Sequence, residues 1–356
     1  MSTKRIPNTP YIVALLSVLF ILLTGCDIGA VTNTNATTDI SIGGPIGSGV
    51  QGVKIFVEPE AGEHTITSAI TGAQKSVWVE MYLLTDRSVI RALQEAAHRK
   101  LDVRVMLEMH PFGGGASPQR TLDLLKAAGV QAQPTSPSFA LTHEKGMIID
   151  GSIAYIMTSN FTRSALGGSS GGKYGTSNRE YDIVDSNAQD VQDIIAIFSA
   201  DWNHTPAQFN NLNLVVSPTN SRNAFTTLIG SARSTLLIAA EEIVDSGIEQ
   251  ALVSAAKRGV HVQVLLPAAK DSTHDSNAQG INAIRQNGIQ IKEDPRLYMH
   301  AKIIVVDGRK AFVGSENIST QSLDKNRELG ILVADSGVLN TLQQTFQKDW
   351  AESRGV

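Results

Sequence analysis

Cysteine is almost missing from this chain: Cys26 is the one thiol in 356 residues, which excludes a disulfide framework. Aromatic residues make up only 5%, charged residues only 18%, and the formal charge is −4. With 42% hydrophobic residues and no excess of cations, the chain is neither disordered, nor collagen-like, nor a basic nucleic-acid tail. Long apolar runs are scarce as well. The one at residues 11–23 has thirteen residues, short of the roughly 17–25 that cross a bilayer as a helix. What remains is a folded globular protein. Its length suits two domains, or one domain built from two halves, and either buries enough apolar surface to need no structural metal.

Lys4 and Arg5 precede the apolar run, and Leu23-Thr24-Gly25-Cys26 follows it. A basic segment, a short apolar segment and a small-residue cleavage site are the layout of a signal peptide, here residues 1–25. Leu-Thr-Gly-Cys resembles a bacterial lipobox, which implies that Cys26 becomes the lipid-modified first residue of an exported protein held to the cell membrane. Asp27 resembles an inner-membrane retention signal in cells with two membranes, whereas with one membrane the protein would sit on its outer face. Cleavage removes two cations and no acid, so the mature charge becomes −6. An acidic protein lacks the broad basic footprint of non-specific nucleic-acid binding, which makes nucleic acid the less favoured partner. Residues 26–52 are rich in Thr, Asn, Gly and Ser without an apolar period and read as a flexible tether. Gly47, Gly49 and Gly52 match a dinucleotide fingerprint in letters, but they precede the first strand instead of following one.

Beyond the tether the chain repeats itself. Ile55-Phe56-Val57-Glu58-Pro59 answers Leu214-Val215-Val216-Ser217-Pro218, and Ala97-His98-Arg99 answers Ala256-Lys257-Arg258, both at a spacing of 159. His143-x-Lys145-x4-Asp150 answers His300-x-Lys302-x4-Asp307 at 157. Asn178-Arg179-Glu180 answers Asn326-Arg327-Glu328, and Phe198-x-x-Asp201-Trp202 answers Phe346-x-x-Asp349-Trp350, both at 148. The change from 157 to 148 places a nine-residue insertion in the glycine-rich stretch 167–177. Near-continuous apolar strands alternate with segments of helical period, so each half is α/β, residues 53–205 and 206–356.

Side chains alternate along a strand, so His143 and Lys145 point one way, as do His300 and Lys302. Asp150 and Asp307 each precede a glycine at a strand end, where an aspartate is a turn residue more readily than a catalytic one. Ten residues past each aspartate stands an asparagine, Asn160 in Met157-Thr158-Ser159-Asn160 and Asn317 in Gly314-Ser315-Glu316-Asn317. His110, following Glu108 at a strand end, is a candidate for the mouth of a site, and no histidine pair has zinc-ligand spacing. Together these motifs resemble the phospholipase D superfamily over about residues 53–350, with Met157-Thr158 departing slightly from the Gly-Ser pattern kept by Gly314-Ser315.

The resemblance implies a duplicated fold, two α/β/α halves about a pseudo-twofold axis with one shared active site, His143 as nucleophile and His300 as general acid. A neutral imidazole attacks phosphorus to form a phosphohistidine, and a protonated one opposite gives its proton to the leaving alcohol and later activates water. Lys145, Lys302, Asn160 and Asn317 would hold the non-bridging oxygens, while Glu180 and Glu328 would each accept from the second ring nitrogen of a histidine. Two lysines, two glutamates and one imidazolium leave about one positive charge, a match for a phosphodiester, with no metal and no cofactor required. The leading expectation is hydrolysis or transphosphatidylation of a phospholipid by a monomer anchored through Cys26. A metal-independent endonuclease, a cardiolipin synthase-like transferase and a non-catalytic surface binding module are the alternatives.

Overall fold

The computed structural model describes residues 44–112, 117–168, 177–269 and 275–356. The expected signal peptide, Cys26, the tether up to residue 43 and most of the glycine-rich insertion lie outside these residues. Among the described residues no helix is long and apolar enough to cross a membrane.

The first half runs β1 (Lys54–Glu58), α1 (His64–Gly72), β2 (Ser76–Met81), α2 (Arg87–His98), β3 (Asp102–Leu107), α3 (Pro118–Ala127), β4 (Gln131–Pro134), β5 (Lys145–Ile149), β6 (Ile153–Met157), β7 (Asn178–Asp185) and α4 (Ala188–Trp202). The second runs β8 (Leu214–Ser217), α5 (Ser221–Ser231), β9 (Thr235–Ala240), α6 (Ser246–Lys257), β10 (His261–Pro267), α7 (Ala278–Arg285) and β11 (Gln290–Asp294). It continues with β12 (Tyr298–Met299), β13 (Lys302–Val306), β14 (Lys310–Gly314), α8 (Thr320–Asp324), β15 (Glu328–Val333), α9 (Ser336–Glu352) and β16 (Arg354–Gly355).

The two sheets have the same strand order, β1-β7-β6-β5-β2-β3-β4 and β8-β15-β14-β13-β9-β10-β11, so the repeat in the sequence is a repeat of topology. Helix starts repeat too: Asp86 caps α2 and Asp245 caps α6 at the spacing of 159, by accepting from the first free backbone N–H groups. Helices α1–α3 cover the outer face of the first sheet and α5–α7 that of the second. The inner faces share one core with α4 and α9, in which Ile148, Ile156, Tyr181 and Phe198 meet Ile303, Val313, Ile331 and Phe346. Strands buried on both faces explain the near-continuous apolar runs.

Two sequence readings resolve here. Residues 44–52, expected as the end of a tether, lie against the second half. Val50 is buried and bridges Val333, Gly47 donates to Leu212, and a Cβ at Gly49 would come within 2.8 Å of Ala334. Gly47 and Gly49 serve close approach to the second half, at Asn213 and Ala334, while Gly52 has open space around it and a φ of 71°. The Met157 departure is also explained. On the second sheet Gly314 pairs with Gly330 so closely that a Cβ at 314 would stand 2.4 Å from the Gly330 Cα, and the Glu316 carboxylate fills the space between them. On the first sheet Met157 pairs with Asp182, whose own carboxylate takes that space and accepts from Ser159.

The halves are clamped by two reciprocal buried ion pairs. Arg179 forks onto Asp349 of the other half at 2.7 and 3.0 Å, and Arg327 reaches Asp201 at 2.8 and 2.9 Å. Glu80 and Glu144 crowd the second pair, and one oxygen of each lies within 4.8 Å of Asp201 and of one another. At the matching places of the other half stand Ala239 and Ala301. Burial raises Glu80 well above the usual carboxylate range and raises Glu144 to about 8, with Asp201 nearby adding to both. One guanidinium and bound protons thus balance three carboxyls.

Two outcomes follow. Arg179→Met leaves Asp349 in the core with only Arg296, 3.7 Å away, as a cationic partner, so urea unfolding should show a loss of about 3 kcal/mol. Because the folded chain holds the Glu144 proton up to about 8 against an ordinary 4.5, its favourable contribution is complete below about pH 4.5 and is lost as pH rises towards 8. Stability should therefore fall between about pH 5 and about pH 9 by less in Glu144→Gln than in the unaltered chain; equal slopes would refute the assignment.

Candidate active site

Each histidine is delivered by the other half's backbone. The carbonyl of Arg327 accepts from His143 at 2.8 Å, and that of Arg179 accepts from His300 at 3.2 Å. Short parallel pairings, Thr142 with Arg327 and β12 with β7, set this register. The consequence is a crossing of partners: His143 Nδ1 meets Glu328 at 2.9 Å, and His300 Nδ1 meets Glu180 at 2.8 Å. The sequence offers both glutamates to both histidines without saying which takes which. With Nδ1–H given to a carboxylate, each ring keeps Nε2 for chemistry.

The carboxylates are themselves oriented. Thr158 donates to Glu180 and Ser315 to Glu328, both at 2.7 Å, while each hydroxyl accepts the backbone N–H of the residue after its glutamate, Tyr181 or Leu329. Asn178 adds a bond to Glu180, and Ser322 and Asn326 add bonds to Glu328. The hydroxyls at 158 and 315 thus face inward to the glutamates. Ser322 carries no signal in the repeat.

Lys145 and Lys302 start β5 and β13, opposite Met81 and Ala240 on the neighbouring strands. Each ammonium donates back to the carbonyl of its own histidine. Asn160 and Asn317 are buried, each with an Oδ1 that has no partner among the described residues. Burial pulls the Lys145 ammonium down to about 7, with the Glu328 charge opposing. Burial likewise lowers His143, more than Glu328 beside it restores, which favours a neutral imidazole. Burial would raise Glu328, but His143, the hydrogen bonds to it and Lys145 outweigh that and keep it ionised. The field of Lys302 acts on both His143 and Lys145, so the two halves contribute to one electrostatic site.

Three side chains in the site are not announced by the repeat. The Tyr82 ring stands edge-on to His143 with centroids 4.6 Å apart, and its hydroxyl accepts from the backbone of Phe112, which is 92% exposed. Glu241 lies 2.8 Å from Lys302 Nζ, 3.4 Å from His300 Nε2 and 3.4 Å from Asn317 Nδ2, and Tyr298 donates to it at 3.0 Å. Burial would raise Glu241, but His300 and Lys302 hold it far below the usual range. Its charge corrects the count made from sequence: two lysines and one imidazolium are matched by three carboxylates. The one available signal was two consecutive acids closing an apolar strand.

The motif aspartates lie elsewhere. Asp150 and Asp307 directly follow β5 and β13, about 16 Å along the chain from the lysines. Each adopts a positive φ, 55° and 53°, and accepts three successive backbone N–H groups, at residues 74–76 and 233–235. They tie strand ends together. The side chain of His110 is 93% exposed and 3.8 Å from Glu108. The cluster Glu80, Glu144 and Asp201 has the spacing to hold a cation, but Arg327 supplies its counter-charge.

Comparison with known proteins agrees with this geometry. Residues 66–202 and 225–350 match the family described as "Cardiolipin synthase, PLD-like domain". A probable cardiolipin synthase of Bacillus subtilis is 24% identical over 344 residues, covering 85% of this chain and 66% of its own length. The cardiolipin synthase of Oceanobacillus iheyensis is 26% identical, with coverage of 85% and 69%. The chain thus spans about two thirds of these relatives. Among solved structures, phosphatidylserine synthase of Haemophilus influenzae shares the fold with a TM-score of 0.64 at 12% identity, covering 85% of this chain and 87% of that one. Polyphosphate kinase of Porphyromonas gingivalis does so with 0.65 at 16% identity, covering 83% and 46%. With both repeats matched and the histidines, lysines and glutamates of both gathered at one site, the chain belongs to the phospholipase D superfamily, in the PLD-like domain family of cardiolipin synthases.

Proposed function

We propose that this enzyme transfers a phosphatidyl group from one alcohol to another, as a cardiolipin synthase-like transferase acting on phospholipids. The observation that carries it is the crossed pair of buried histidines, each held through Nδ1 by a carboxylate of the other half. His143 Nε2 attacks phosphorus, the P–O bond to the leaving alcohol breaks, and that oxygen takes a proton from His300 Nε2. The acceptor alcohol then gives its proton to His300 and attacks the phosphohistidine, which frees His143. Lys145, Lys302, Asn160 and Asn317 hold the non-bridging oxygens through both steps.

The sequence put hydrolysis first. Hydrolysis is the same chemistry with water as the acceptor, and the relatives named as cardiolipin synthases favour the alcohol. A neutral His143 supports its role as nucleophile, and the carboxylates facing both ring nitrogens of His300 suit a doubly protonated ring as the acid. Exposed Phe112, tied to Tyr82 beside His143, offers an apolar rim for acyl chains. A lipid at Cys26 would hold the domain where such substrates lie.

Phosphatidylglycerol vesicles, with chelator present, should yield cardiolipin and glycerol. His143→Ala should abolish the reaction, and His300→Ala should slow it by about 10²–10⁴-fold. Phosphatidate alone would return the reading to hydrolysis, and plasmid cleavage without lipid turnover would make the chain a nuclease. Glu328→Gln and Glu180→Gln should each lower kcat by about 10²-fold with KM nearly unchanged and the fold intact. A rise in KM at constant kcat would show that these glutamates do not position the histidines.

A further inference from the structure

Beside the lysines the halves differ at a position that changes the charge next to the ammonium. β2 and β9 correspond at the spacing of 159, so Tyr82 and Glu241 are the residues that leave the two strands beside the catalytic lysines. In the first half the ammonium of Lys145 stands 5.2 Å above the aromatic ring, with no carboxylate in ion-pair contact among the described residues. In the second half Glu241 accepts a hydrogen bond from Lys302 and faces Asn317 Nδ2 and His300 Nε2. These are the donors that the reaction needs for a phosphoryl oxygen and for the leaving group. A carboxylate therefore stands where substrate anion must go. It is 20% exposed, enough to turn aside.

We propose that Glu241 is the specificity-determining residue of the site, a built-in anion that the phosphoryl group must displace from Lys302 and Asn317. The inference rests on the phosphodiester reading above and deepens it. With Glu241 in place the site has no surplus positive charge, so a singly charged phosphodiester can exchange for the carboxylate while doubly charged phosphomonoesters and free phosphate are rejected. Without Glu241 the same donors offer one uncompensated positive charge, which favours the dianion most. Tyr82 places no such restriction on the first half, where Lys145 and Asn160 stay open to the other non-bridging oxygen.

The test is binding, read by calorimetry without turnover, with inorganic phosphate and dimethyl phosphate as probes. Glu241→Gln, which keeps the shape and removes the charge, should tighten inorganic phosphate by about tenfold and dimethyl phosphate by less. Glu241→Ala should act in the same direction if the glutamine variant folds poorly, and adding Lys302→Met should erase the gain. Unchanged or weaker phosphate binding in both folded variants, or equal tightening of the two probes, would overturn the proposal. A chain that exchanged no phosphatidyl groups yet bound phosphate more tightly on losing Glu241 would defeat the proposed function and leave this inference standing.

Discussion

The rest of the structure depends on an exchange of side chains at the end of one strand in each half. At the start of β7 and just before β15, Arg179 and Arg327 cross to the closing helix of the other half, and Glu180 and Glu328 cross to its histidine. Neighbours on a strand face opposite ways, so arginine and glutamate work on opposite sides of the same backbone. The arginine carbonyl, between them, accepts from the histidine's own N–H. Three bonds per half thus lock docking and chemistry together. A half that drifted from its partner would lose a buried ion pair and release a histidine ring from its carboxylate at once.

By this arrangement the site is built from both halves. Each half holds a histidine and a lysine on a strand end, but the carboxylate that fixes the imidazole's tautomer comes from across the interface. Burial then gives these groups their working states. It lowers His143 towards the neutral form and draws the Lys145 ammonium to about 7, so that an arriving anion restores the charge that burial opposes.

Symmetry is broken where chemistry and packing call for it. Glu80 and Glu144 crowd Arg327 where Ala239 and Ala301 stand in the other half, while Arg179 takes its second carboxylate from half-exposed Glu60 instead. Asp182 and Glu316 fill equivalent spaces from different strands, one opposite Met157 and the other between two glycines. Tyr82 and Glu241 make the two lysines chemically unlike.

Much of this was legible in the sequence. The repeat spacings of 159, 157 and 148 match equivalent strands and helices, and both motifs start the strands assigned to them. A repeated chain must fold into repeated elements, because local hydrophobic period and capping residues recur with it. The two-residue alternation placed each histidine and lysine on one face by the geometry of the strand alone. Which glutamate serves which histidine was not legible, since it is set by packing between residues 120 and 185 positions apart. Nor was the place of Glu241, which becomes part of the site only when β9 lies beside β13. The sequence by itself determined the elements, the duplication and the identities of the paired groups, because these follow from short-range periodicity. Tertiary structure alone decided the crossing of partners and the charge of the site, because electrostatics depends on distance in space and not on separation along the chain.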